Sequence, residues 1–326
     1  SPVLPPGGDR DGSDRVLFEH WRNRTWDVAT ANPSTSEVSH LTNTRKHENG
    51  AVFSPDGSLI AFESYGPENG DLFVMNRDGT ARRRLTGGET LDKFAAWSPD
   101  GTRIAYSALR AGMTRVPGEG IWVLDVATGE RLRLSRGAND QGAQWSPDGS
   151  KVLFYGRRGG DYELMLADAS GRRPERLTEN RRDDLFPRWD ADGTSMVFTS
   201  TVDKDTYRRH LYRLDLSTGT ETRLTPKGTS DEAGIVSPDG SLIAFLRCPG
   251  TTCALWVMNA DGSGQRELFG GGVEGGPPVW SPDGTRLAFS HLDARRRYNI
   301  SVLDVRSGEV SGLTTLPGDE AVTDWA

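Results

Sequence analysis

Three of the five histidines stand where chemistry could gather. His20 and His291 each lie two places after a phenylalanine (Phe18, Phe289) in a β-rich run, a place that Ser64 and Ser200 fill elsewhere. His47 lies in the link that follows the segment of His20. Imidazoles meeting in one sector could hold a metal or serve as acid and base. The plainer alternative is three exposed or hydrogen-bonded rings that never meet. Seven carboxylates recur in register with them, five or six places before a large apolar residue: Glu48, Asp92, Asp140, Asp184, Asp231, Glu274 and Glu320. Such a ring could form an acidic funnel that attracts cations or basic ligands, calcium among them. Alternatively, each carboxylate accepts backbone N–H bonds and pins its own link.

Arginine runs (157–158, 208–209 and 295–297, centred on Arg296) fall near Trp21, Tyr155, Tyr207 and Tyr298. Together they could rim a pocket for an anionic or aromatic ligand, or be ordinary solvated surface.

A repeat positions these residues. Ser-Pro-Asp-Gly occurs at positions 54–57, 98–101, 146–149, 237–240 and 281–284, with a degenerate Asp-Ala-Asp-Gly at 190–193, so that one copy comes every 44 to 48 residues. A large apolar residue precedes each copy: Phe53, Trp97, Trp145, Trp189, Val236 and Trp280. Two β-rich runs follow, and the unit closes on Leu-Thr or a variant of it. Pro fixes φ and Gly accepts positive φ, so each tetrad is a turn between strands. Four strands in a meander cannot bury both faces alone and must stack around an axis. Residues 15–42 supply three strands without a first one, and residues 320–326 supply a first strand ending at Trp325, 45 places after Trp280. The expectation is a seven-bladed β-propeller of four-stranded antiparallel blades over residues 15–326, closed by the C-terminal strand joining the N-terminal blade. Six blades are the alternative. Residues 1–14 read as a flexible lead-in. Strand direction puts the tetrad turns on one uniform face and the variable loops, with the histidines and carboxylates, at the opposite mouth of the channel.

The phrases WSPDG, LFVMNRDGTARRRLT and LWVMNADGSGQREL resemble the repeats of the TolB-like propeller family, a WD-like group. The resemblance spans residues 15–326 and implies a fold more firmly than a function, since such propellers serve as protein-binding platforms, enzyme accessory domains and lyases. It also implies the bacterial envelope as a setting. No Gly-x-Ser-x-Gly elbow occurs.

A net charge of −7 argues against nucleic acid as a partner. No apolar run is long enough to span a bilayer. The two cysteines, Cys248 and Cys253, flank Pro-Gly-Thr-Thr between two strand-like runs. Their placement at a hairpin mouth favours a disulfide over two buried thiols, and a disulfide implies an oxidising compartment. A monomer that is secreted, periplasmic or cell-surface, its signal peptide removed, fits these features. The leading expectation is a non-catalytic binding protein that engages a protein, peptide or small molecule through the variable loops and requires no cofactor. The alternative is a lyase, hydrolase or cyclase at the same channel mouth, acting through His20, His47, His291 and ring carboxylates, with calcium or a histidine-bound metal.

Overall fold

A computed structural model describes residues 14–66, 69–110, 118–203, 207–274 and 276–326. Residues 1–13 of the expected lead-in, and parts of the loops expected at 108–120 and 200–210, lie outside the described residues.

The described chain is all strand and turn. Each tetrad turn is built the same way. The hydroxyl of Ser54 donates to Asp56 at 2.6 Å and accepts the Leu59 N–H at 2.9 Å. Asp56 in turn accepts the Ser58 N–H at 3.0 Å, and Gly57 takes φ of 67°. Ser98, Ser146, Ser237 and Ser281 donate to their own turn aspartates at 2.5–2.6 Å. The closing Leu-Thr dipeptide has a parallel task. The Thr42, Thr86, Thr178, Thr225 and Thr314 hydroxyls accept backbone N–H groups fourteen residues earlier, which ties the third strand to the link that follows it.

After each turn one aromatic ring is sealed in the core, Phe62, Tyr106, Phe154, Phe198, Phe245 and Phe289, and Phe18 takes the same place in the N-terminal unit; none is more than 1% exposed. Their neighbours belong to adjacent units. Leu17 and Val28, for example, pack with Ala51, Phe53, Ile60 and Phe62. Tryptophan adds a directed tie between units: the indole N–H groups of Trp97, Trp145, Trp189 and Trp280 donate to the carbonyls of Val52, Ala96, Gln144 and Ile235 at 3.0–3.3 Å. The first strands, among them His47–Phe53, Thr90–Trp97, Gln141–Trp145, Asp183–Trp189 and Asp231–Val236, stand side by side in chain order, and Glu320–Trp325 touches His47–Phe53.

The hydrogen-bonded sheets correct the expected fold class. Among the described residues they number five rather than seven: three have four strands, two have eight, and none closes into a barrel. Four-stranded units merge where a link or a long strand reaches its neighbour. Leu91 pairs with Gly70, whose missing side chain leaves room for the Tyr65 ring, 2.7 Å from where a Cβ would stand. In the second case, the strand Arg266–Val273 runs on through three glycines until Val273 pairs with His291. The segment Glu320–Trp325 pairs antiparallel with Val16–Arg22, Trp325 opposite Val16, and so lies in one sheet with Thr25–Ala31 and Val38–His40.

Candidate functional site

A bulge shapes each of five first strands. Register shifts fall between Asn49 and Val52, Lys93 and Ala96, Gln141 and Gln144, Leu185 and Arg188, and Glu232 and Ile235. A residue at positive φ sits inside each: Gly50 (59°), Phe94 (56°), Gly142 (70°), Phe186 (52°) and Ala233 (56°). The bulge turns an N–H toward the preceding unit. There Gly50 donates to Glu19 at 2.6 Å, Phe94 to Glu63 at 2.7 Å and Gly142 to Ser107 at 3.2 Å. These acceptors all follow the sealed aromatic residue, a position whose residue type varies from unit to unit and so carries no sequence motif. Burial pushes Glu19 up to about 7, against the Gly50 hydrogen bond and aided by the nearby charge of Glu63. Glu63 is raised by the same cause.

Five of the seven link carboxylates, Glu48, Asp92, Asp140, Asp184 and Asp231, lie one position before these bulged stretches, and all seven but Glu274 are no more than 1% exposed. Arginines from other segments of the chain meet three of them. Arg82 reaches Glu48 at 2.5 Å, Arg158 grips Asp140 with both terminal nitrogens at 2.7 and 3.1 Å, and Arg247 meets Asp231 at 2.6 Å. Neutral donors meet the others: Thr90 for Asp92 (2.8 Å), Ser200 and Asn180 for Asp184 (2.6 and 2.8 Å), Tyr298 for Glu274 (2.5 Å) and Thr314 for Glu320. Burial raises Asp92 and Asp184, and pushes Glu320 up to about 7.

The histidines take separate partners. His20 is buried; its Nδ1 lies 2.8 Å from His40 Nε2, and its Nε2 lies 2.9 Å from the Pro317 carbonyl. Burial lowers His40, with the Arg22 charge adding to the effect. His47 stacks on Trp21, whose other neighbour is Trp26. His291 packs between Phe269 and Phe289 and bonds Ser301 at 2.8 Å. Arg296 adopts positive φ (58°) in a tight turn on Asp293.

One pocket of 570 Å³ opens among the loops. Tyr207, Arg208, Arg209 and Arg247 line it, with residues 228–230 and the Cys248–Gly250 turn. Tyr207 is 70% exposed. Arg209 pairs with Glu232 and Arg247 with Asp231, whereas Arg208 meets no carboxylate among the described residues. Among the described residues, three guanidinium groups stand against two carboxylates on this wall. Arg247 escaped sequence reasoning because it ends a core strand outside any arginine run.

Cys248 and Cys253 form a disulfide beside this pocket. Glu232 and the two sulfurs are the one trio of potential metal-ligating atoms gathered among the described residues. Bonded sulfurs are not thiolates, and metal binding needs the thiolate. The trio therefore becomes a donor set only once the bond is reduced.

Comparison with known proteins follows the repeat. Residues 117–277 match the TolB beta propeller domain. A 127-residue stretch is 35% identical to the Tol-Pal system protein TolB of Anaeromyxobacter dehalogenans; it covers 38% of this chain but only 28% of that protein. Among solved structures, TolB from Acinetobacter baumannii superposes with a TM-score of 0.62 at 21% identity, over 92% of this chain and 79% of that one. An oligogalacturonate lyase from Vibrio parahaemolyticus superposes with a TM-score of 0.69 at 18% identity, over 95% and 90%. At these identities the superpositions show the fold alone.

Proposed function

From a chain homologous to TolB-family β-propeller proteins, we propose a binding protein of the cell envelope or extracellular space that takes a carboxylate-bearing ligand, an acidic peptide segment or an acidic sugar, into the arginine-walled pocket. The observation that carries this reading is the excess of positive charge around an open 570 Å³ cavity with an exposed tyrosine at its lip. Guanidinium groups pair with carboxylates in a planar, two-pronged geometry, and an exposed ring adds contact area at low entropic cost. The disulfide holds the Cys248–Gly250 wall in place and supports an oxidising compartment. The test is titration with a short aspartate- and glutamate-rich peptide and with a galacturonate oligomer. At least one should bind, weaken as salt rises, and lose about tenfold in affinity in Arg208→Ala/Arg209→Ala. Binding that ignores both salt and these substitutions would remove the pocket from consideration.

The solved-structure comparison favours a second reading, an enzyme, because the lyase fold superposes more closely than TolB does. Glu19 and Glu320, both held near neutrality, are suited to exchanging protons at physiological pH. Incubation with galacturonate oligomers, with and without manganese, should then generate the conjugated double bond of β-elimination. An unchanged ultraviolet spectrum at high enzyme concentration sinks a lyase activity on that substrate and leaves the binding reading standing.

A further inference from the structure

Two kinds of hydrogen bond tie the inner strands of neighbouring units. In the first, the residue after the sealed aromatic accepts an N–H from the next unit's first strand: Glu19 from Gly50, Glu63 from Phe94 and Ser107 from Gly142. Ser290 does the same for Val322 at 2.9 Å. In the second, the tryptophan that ends a first strand donates to the preceding unit, as Trp97, Trp145, Trp189 and Trp280 do. Among the described residues, one contact between successive units carries neither tie, that of the Phe198 unit with the Phe245 unit. Val236 stands there in the tryptophan's place. Thr199 follows the sealed aromatic and is 1% exposed, yet its hydroxyl has no hydrogen-bond partner.

What remains at this contact is weaker. Val197, Leu211 and Leu224 pack against Ile243, Phe245 and Met258, and Gln265 donates to the Leu224 carbonyl at 3.0 Å. Apolar packing is non-directional, and it tolerates small shifts better than aligned hydrogen bonds do. Arg209 pairs with Glu232 across the gap, but the two side chains are 32% and 30% exposed, so water screens the pair. The orphaned Thr199 hydroxyl adds a cost of its own.

The arginine-walled pocket opens across this same contact. Tyr207, Arg208 and Arg209 belong to the Phe198 unit, Arg247 and the Cys248–Gly250 turn to the Phe245 unit, and residues 228–230 link the two. A cavity with walls on two bodies changes shape when they shift, and a ligand that touches both walls favours closure. We infer that this contact is a hinge, and that an anionic ligand in the pocket closes it by bridging the two arginine-bearing walls. The closing step rests on the proposed binding role of the pocket; the hinge does not.

Hydrogen exchange of the intact chain, read by mass spectrometry, tests both. Without ligand, residues 196–200 and 231–236 should show protection about tenfold lower than residues 104–108 and 141–145, whose contact carries both ties. A saturating glutamate-rich peptide should raise protection about fivefold in the first pair and leave the second pair unchanged. Val236→Trp, which offers an indole to the Arg188 carbonyl as Trp189 does to that of Gln144, should raise it without peptide. Equal protection of the two pairs in the ligand-free protein overturns the hinge, whether or not Val236→Trp folds. Peptide that binds in titration without raising protection overturns the closing step and leaves the pocket's reading intact. Peptide that fails to bind removes the closing step together with that reading, and the ligand-free rates still decide the hinge.

Discussion

The two faces of this molecule use the same chemical group in opposite ways. On the turn face, repeated aspartates sit in water and accept hydrogen bonds from a serine hydroxyl and from a backbone N–H two residues on. Those bonds favour the charged form and pull Asp100 and Asp283 down to about 2. On the inner strands and links, carboxylates are taken out of water. Burial pushes Glu19 and Glu320 up to about 7 and Asp324 up to about 6. The difference teaches that a repeated acidic residue has no fixed meaning. Its surroundings make it a hydrogen-bonded turn anchor in one place and a proton-holding group in the other.

The contrast breaks most sharply where a buried carboxylate has a single strong partner. Asp140→Ala strands the Arg158 guanidinium and the Gly137 N–H, which Asp140 accepts at 3.0 Å. Because Arg158 retains some exposure, the loss should be about 3 kcal/mol, at the lower end for broken buried pairs. Urea denaturation reads it directly, and a loss under about 1 kcal/mol would mean that solvent already screens this pair.

Glu320 sharpens the same contrast through pH. Its folded pKa is raised from 4.5 to about 7, so the native state holds the proton more tightly than the unfolded chain. Its contribution is complete below pH 4.5 and disappears as pH rises through 7. Stability should therefore fall between pH 5 and pH 8, with Glu320 contributing on the order of 2 to 3 kcal/mol, given that it is 1% exposed. Glu320→Gln should flatten that part of the profile and raise the urea midpoint at pH 8. A profile with the same slope in the variant would assign the pH dependence to other groups.

Much of the strand layout was legible because turn chemistry is local. Ser-Pro-Asp-Gly determines a turn from four adjacent residues, and the sealed aromatic follows at a nearly constant distance. The sheet count was not legible, because single bridges at Gly70 and Val273 merge neighbouring units and depend on how closely two segments approach. The carboxylate positions were visible in the sequence, but the arginines that meet Glu48, Asp140 and Asp231 come from other segments of the chain. His40 was hidden as the partner of His20 because it ends a short edge strand twenty residues away. The exposed rings of Phe94 and Phe186 depend on bulge geometry, which apolar patterning does not encode.

The smallest expected effect lies on the turn face. The Ser98 hydroxyl donates to Asp100 at 2.5 Å and accepts the Arg103 N–H at 2.9 Å, while its own side chain is fully buried. Ser98→Ala leaves that N–H without its acceptor and should cost about 1 kcal/mol. It should also weaken the acid limb of the stability profile. The folded pKa of Asp100 lies below its ordinary 3.8, so its contribution is present above pH 3.8 and lost as pH falls toward 2. The variant should therefore lose less stability than the wild type over that interval, while its slope between pH 5 and pH 8 stays unchanged. A change at neutral pH instead would mean that this turn is coupled to the buried carboxylates, and the two faces would no longer be electrostatically separate.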